Sequence, residues 1–162
     1  MEPEQSLKPI AYGIVPAAEA RTLSGLELLR KILEGELPAP PISKVMHFRM
    51  AELEAGRVVF SGQPDADCYN PQVTVHGGYA STLLDSCMGC AIHSMLPAGS
   101  SYTTLEIKVN FIRPLRQDTG PVRAEGKIIS VGKRVGTAEG RIFDSQNRLY
   151  AHATTTCLIF PL

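Results

Sequence analysis

Apolar residues recur at helical spacing across SGLELLRKILEGEL, residues 24–37, where Leu26, Leu29, Ile32 and Leu33 share one face. Ser24 is suited to cap the start of that helix and Gly35 to end it. Pro38, Pro40 and Pro41 then predict a stop to regular structure. Two strands are expected at about 45–53 and 57–62, joined by a turn at Glu54-Ala55-Gly56. From Gly77 the pattern changes. Residues 77–96 are apolar around most of a helical circumference, as in a helix enclosed by other structure, and Pro97-Ala98-Gly99 ends it. Next, Leu105, Ile107, Val109 and Phe111 alternate with Thr104, Glu106, Lys108 and Asn110, the period of a half-buried strand. Segments 121–131, 135–143 and 149–160 read as three more strands. Gly132-Lys133-Arg134 and residues 144–148 between them are short enough for hairpins. These last four strands are expected to form an antiparallel meander. The pattern is α+β: an antiparallel sheet wrapped around one long central helix, with an extra helix near the N-terminus. Residues 1–20 lack periodicity and are expected to form a loose arm ahead of a single domain over 21–162.

Composition narrows the function classes. The chain has 162 residues, 44% hydrophobic and 20% charged, with sixteen acids against sixteen bases. A nucleic-acid binder normally carries a basic excess, so that partner class is not expected. MEPEQSLKPIAYG has acids and no apolar core, unlike a secretory signal. Residues 86–105 lack charged side chains, but Pro97, Gly99, Ser100 and Ser101 interrupt them, so no membrane span is expected. The four cysteines, Cys68, Cys87, Cys90 and Cys157, are expected as free thiols in the cytoplasm. Cys87-x-x-Cys90 has redox spacing, yet both residues fall well inside the helix rather than at its start, which favours packing. Cys87, Cys90 and His93 would give zinc three ligands on one helix and no clear fourth, so no metal is expected.

Two features of the long helix carry chemistry. It opens on His76-Gly77-Gly78, and Asp85 is its only acid; no other charge stands between His76 and His93. The first N–H groups of a helix lack internal partners and sit in its positive field. Glycine there either permits a tight turn or lets a ligand approach the backbone, where an N–H could polarise a carbonyl oxygen. Asp85 has small helical neighbours, Ser81, Thr82 and Gly89, that leave room beside its carboxylate. It reads either as a solvated acid or as a base or nucleophile in a partly dry place. His76 with Ser81 or a cysteine matches no known triad spacing and suits an orienting or turn-stabilising role better.

Several blocks together resemble a known family: "SGLELLRKILEGELPAPPI", "YNPQVTVHGGYASTLLDS", "YTTLEIKVNFIRP", "DTGPVRAEGKIISVGKRVGTAEGRI" and "LYAHATTTCLI". They resemble the hotdog-fold acyl-CoA thioesterases of the PaaI-like branch, named for phenylacetate degradation, over about residues 24–160. The resemblance implies a hotdog fold and hydrolysis of an acyl-CoA thioester, with coenzyme A as part of the substrate and no cofactor. It implies Asp85 as the acid that activates water or attacks the thioester carbon, with water activation favoured. By the same resemblance the Gly77 N–H polarises the carbonyl, Asn70 helps hold that carbonyl or the water, and Thr104 orients the water. Thr103 beside it leaves the register open, and Gly78 shares the helix start.

Gly77 and Asp85 are eight residues apart, about 12 Å along one helix. An attacking oxygen and a carbonyl donor must both lie within roughly 3 Å of the reacting group. Two antiparallel helices across a two-fold axis can meet that condition, so a homodimer with shared sites is expected, in agreement with the family, whose dimers commonly pair into tetramers. Lys133, Arg134, Arg113 and Arg116 are candidates for the phosphates of coenzyme A. The acyl group, aromatic or medium-chain, stays open. Competing expectations are a hotdog hydratase or dehydratase using His76, and a non-catalytic acyl-CoA binder.

Overall fold

The computed structural model describes residues 10–162. Four α-helices, α1 (Ala17–Ala20), α2 (Gly25–Leu33), α3 (Pro41–Val45) and α4 (Gly77–His93), accompany six strands. The strands are β1 (Phe48–Glu54), β2 (Arg57–Gly62), β3 (Ser100–Phe111), β4 (Val122–Val131), β5 (Val135–Asp144) and β6 (Leu149–Pro161). They form one antiparallel sheet in the order β1-β2-β4-β5-β6-β3. α4 lies in its concavity. Leu83, Leu84, Cys87, Met88, Ala91 and Ile92 are wholly buried between helix and strands. Gly126 of β4 marks the closest approach, because a Cβ there would stand 2.3 Å from the Cys87 carbonyl. The expected α+β architecture, with its sheet around a long helix, is the observed one.

Four expectations need correction. The last four strands are not a meander: β4, β5 and β6 are, but β3 pairs with β6 at the far edge. The other edge of β4 is taken by β2, and residues 112–121 are long enough to carry the chain from the sheet's rim back to its middle. The alternation in β3 also breaks. A bulge between Thr104 and Glu106 leaves Leu105 unpaired and 59% exposed, so Tyr102 and Thr104 face inward before it, and Ile107 and Val109 after it. Thirdly, the first long helix ends at Leu33 rather than residue 37. Gly35 takes a φ of 73°, and the Gly35 and Glu36 N–H groups donate to the Ile32 and Lys31 carbonyls, a Schellman ending. Its start is as expected, with Ser24 and Glu27 forming a capping box. The prolines do not end regular structure altogether, since Pro41 sits in the first turn of α3, where its missing N–H costs nothing.

The expected loose arm falls partly on residues 1–9, which lie outside the described residues. Over residues 10–20, Tyr12 bridges Ala39 and the α1 turn forms. Among the described residues, no helix is long and apolar enough to cross a membrane.

Candidate active site

The start of α4 is built by its own loop. The Asn70 side-chain oxygen accepts the N–H groups of Gln72 and Thr74, and its Nδ2 donates to the Thr74 hydroxyl. Between them Val73 holds a φ of 59°, a costly conformation for a β-branched residue that these bonds stabilise. His76 is the N-cap. Its Nδ1 accepts the Gly78 N–H at 2.8 Å, and its carbonyl accepts the Tyr79 N–H at 2.9 Å. The Gly77 N–H is left without an acceptor among the described residues. The Phe111 ring lies over Gly77, where a Cβ would come within 3.0 Å of it. Ser81 and Thr82 return their hydroxyls to the Gly77 and Gly78 carbonyls, which spends them on the helix itself.

Two turns further along, Asp85 is half-buried and faces β3. The Thr104 hydroxyl donates to Asp85 Oδ1 at 2.8 Å and also lies 3.9 Å from Cys157 Sγ. Asp85 Oδ2 has no partner among the described residues. Of the two candidate threonines, Thr104 faces the helix and exposed Thr103 faces away. The structure thus joins Asp85 to Thr104 but keeps them eight residues of helix from Gly77.

The thiols around this seam are held protonated. Burial, then the Asp85 carboxylate, pushes Cys90 up to about 12. Burial likewise raises Cys87, Cys157 and the Tyr102 hydroxyl that meets Cys90. A thiol so raised is a poor nucleophile, and Cys87 and Cys90 pack as core groups. Among the described residues no group of three His, Cys, Asp or Glu side chains could hold a metal ion. Tyr102 and Cys157 were not singled out from the sequence. For Tyr102 a signal was there, since it lies two residues from Thr104 on one strand face, whereas Cys157 meets Thr104 only through the β3–β6 pairing.

The four basic candidates do not converge within one chain. Arg113 and Arg116 follow β3 at the Gly77 end, where the Val75 N–H donates to the Leu115 carbonyl and Arg113 donates to the Leu149 carbonyl. Lys133 and Arg134 occupy the β4–β5 turn. Next to it, Gly136 meets Ile92 near the other end of α4. Both are exposed and have no acid partner among the described residues.

Residues 73–151 match the thioesterase superfamily. An esterase-like protein of Halobacterium salinarum is 39% identical over 67 residues, 40% of this chain. The chain spans about half the length of the curated relatives it matches, 42% and 55% of two of them. A thioesterase-like, phenylacetic acid degradation-related protein of Ralstonia eutropha superposes with a TM-score of 0.73 at 25% identity, over 80% of this chain and 98% of that one. A Streptococcus mutans protein bound to acetyl-CoA gives 0.64 at 23% identity, over 70% and 89%. Residues 73–151 thus match the thioesterase superfamily by sequence, and across most of its length the chain has the hotdog fold and is similar to PaaI-like thioesterases.

Proposed function

We propose that the protein hydrolyses acyl-CoA thioesters at sites shared between two copies of the chain. The observation that carries this reading is Asp85: the lone acid of a buried helix, half-buried, with one oxygen held by Thr104 and the other free. A water bound to the free oxygen gives up a proton to it and attacks the thioester carbon. Negative charge then develops on the carbonyl oxygen, and the unpaired Gly77 N–H at a helix start suits it. Collapse of the tetrahedral intermediate breaks the C–S bond. The proton held by Asp85 passes to the departing sulfur, leaving a carboxylic acid and the coenzyme A thiol.

Thr104 spends its hydrogen on Asp85, so it can only accept a hydrogen bond from the water, and it fixes the carboxylate as much as the nucleophile. Asn70 has its oxygen filled by loop donors and one Nδ2 hydrogen left for the carbonyl or the water. Because Gly77 and Asp85 cannot meet on one helix, each site pairs Gly77 and Asn70 of one chain with Asp85 and Thr104 of the other. Lys133 and Arg134 would then approach the mouth from the Asp85 side and Arg113 and Arg116 from the Gly77 side. Support for coenzyme A as the carrier comes from the family and from the neighbour bound to acetyl-CoA. The chemistry calls for no resident cofactor. Four free cysteines suit a reducing compartment such as the cytoplasm.

A thiol-release assay over a panel of acyl-CoAs tests the reading. Release that Asp85→Asn abolishes in a folded protein supports it. Tight binding of acyl-CoA without release, or hydration of an enoyl-CoA instead, overturns it. A His76-based hydratase finds less support, because His76 Nδ1 is committed to the helix cap.

A further inference from the structure

Protein interiors seldom leave voids larger than a water molecule. Between α2, β1 and α4 this chain leaves a cavity of about 510 Å3. That size falls inside the roughly 300–1,000 Å3 typical of small-molecule sites. It arises because α4 packs mainly against β4, β2 and β5, while β1 is covered by α2. α2 in turn is pinned at its first residue, where the Gly25 N–H donates to the Leu96 carbonyl and the backbone stands against His93. Its later turns therefore bridge β1 without filling the space beneath. The walls are mostly apolar, with Leu29, Ile32 and Leu33 from α2, Phe48 and Met50 from β1 and Phe60 from β2, while Tyr12, Glu34, Ser43 and Arg49 add polar groups.

Cys90 lines this cavity from α4. It lies five residues beyond Asp85, about 7.5 Å along the helix. Its thiol also meets the Tyr102 hydroxyl, two residues before Thr104 on β3. Cys90 therefore stands between the cavity on one side and, on the other, the strand β3 that carries Thr104.

We propose that this cavity takes the acyl chain of the thioester, reached past Cys90 from a carbonyl held at Asp85, and that the substrates carry medium-length aliphatic chains rather than acetyl groups. This rests on the hydrolytic reading above. An acetyl group ends short of the cavity, whereas a medium-length chain crosses the gap and buries its methylenes against Leu29, Ile32 and Phe60.

Two readouts separate this proposal from that reading. In turnover, Ile32→Trp and Cys90→Phe, which narrow the cavity from opposite walls, should each lower the decanoyl-CoA to acetyl-CoA ratio of kcat/KM at least tenfold. In binding, calorimetry with the non-hydrolysable thioethers S-decyl-CoA and S-ethyl-CoA should give tighter binding of the former to the wild-type protein, and a folded variant should erase the difference. The binding arm stands even if nothing is hydrolysed. Equal wild-type affinity for the two thioethers, or an unchanged chain-length ratio in a variant whose circular dichroism is native, overturns the proposal.

Discussion

The start and the middle of α4 are built on opposite principles. At its start the chain spends polar groups on itself: Asn70 ties its loop, His76 caps Gly78, and Ser81 and Thr82 return to the carbonyls behind them. What survives is one backbone N–H, on Gly77, under the Phe111 ring. In the middle of the helix the surroundings are apolar or protonated thiols, and what survives is one carboxylate oxygen, on Asp85. One region offers a donor and the other an acceptor, each rigidly positioned and each useless to a thioester alone. On the proposed mechanism, the difference makes the unit of function larger than the unit of folding.

The largest expected effect comes from the acceptor. Asp85→Asn should lower kcat by about 10²–10⁴, the usual contribution of a positioned acid–base group, with a smaller change in KM. Near-native turnover by a folded variant would remove Asp85 from the chemistry and leave the comparison with only one active region. Next, Thr104→Val deletes the hydroxyl that holds Asp85 Oδ1. A hydrogen bond to a charged group contributes about 1.5–3 kcal/mol, so kcat should fall by roughly 10- to 100-fold. Thr103→Val, on the exposed side of the strand, is the matched control and should change kcat by less than about twofold.

A smaller effect separates the basic pairs. Replacing Lys133 and Arg134 with alanine should raise KM for acyl-CoA several-fold and leave kcat nearly unchanged, because phosphate contacts hold ground and transition states alike. A truncated thioester lacking the nucleotide should be indifferent. Equal effects on both substrates would rule out phosphate contact by this turn.

The smallest effect sits at the Gly77 end and concerns stability. Burial pushes the Asp144 carboxyl up, but the Arg148 and Gln146 N–H groups and the Arg148 guanidinium together hold it below its ordinary value. A depressed carboxyl stabilises the fold above its unfolded pKa and loses that contribution as pH falls through the folded one. Stability should therefore decline below about pH 4. The decline should be weaker in Asp144→Asn, and hydrogen exchange should loosen first at residues 112 and 113, whose N–H groups donate to the Tyr150 carbonyl. Exchange that loosens first around Asp85 instead would contradict the brace.

How much of this was legible in the sequence depends on whether the cause was local. The capping box at Ser24, the strand β2 and the start of α4 follow from neighbouring residues and were readable. The place of β3 at the far edge was not, because it is decided by which strand edges remain unpaired. Nor was the bulge that turns Leu105 outward, since period-two alternation assumes an unbroken ladder. Family resemblance singled out Thr104 only as a residue that orients the water, and its hydrogen bond to Asp85 was not legible from any pattern in the chain. The cavity under α2 was invisible for a similar reason: Leu29, Ile32, Phe48 and Phe60 read as ordinary core residues, and only packing reveals the space that opens beside them.

Complementation between damaged chains tests the shared site most directly. One variant carries Asp85→Asn and the other Asn70→Ala, each nearly inactive alone, and the two are co-expressed with different tags so that mixed dimers can be isolated. A mixed dimer has one site with Asn70 from the first chain and Asp85 from the second, and one site damaged twice. Random pairing makes roughly half the dimers mixed, each with one good site of two, so about a quarter of wild-type activity should return. Confirmed mixed dimers with no activity above their parents would contradict a site drawn from both chains.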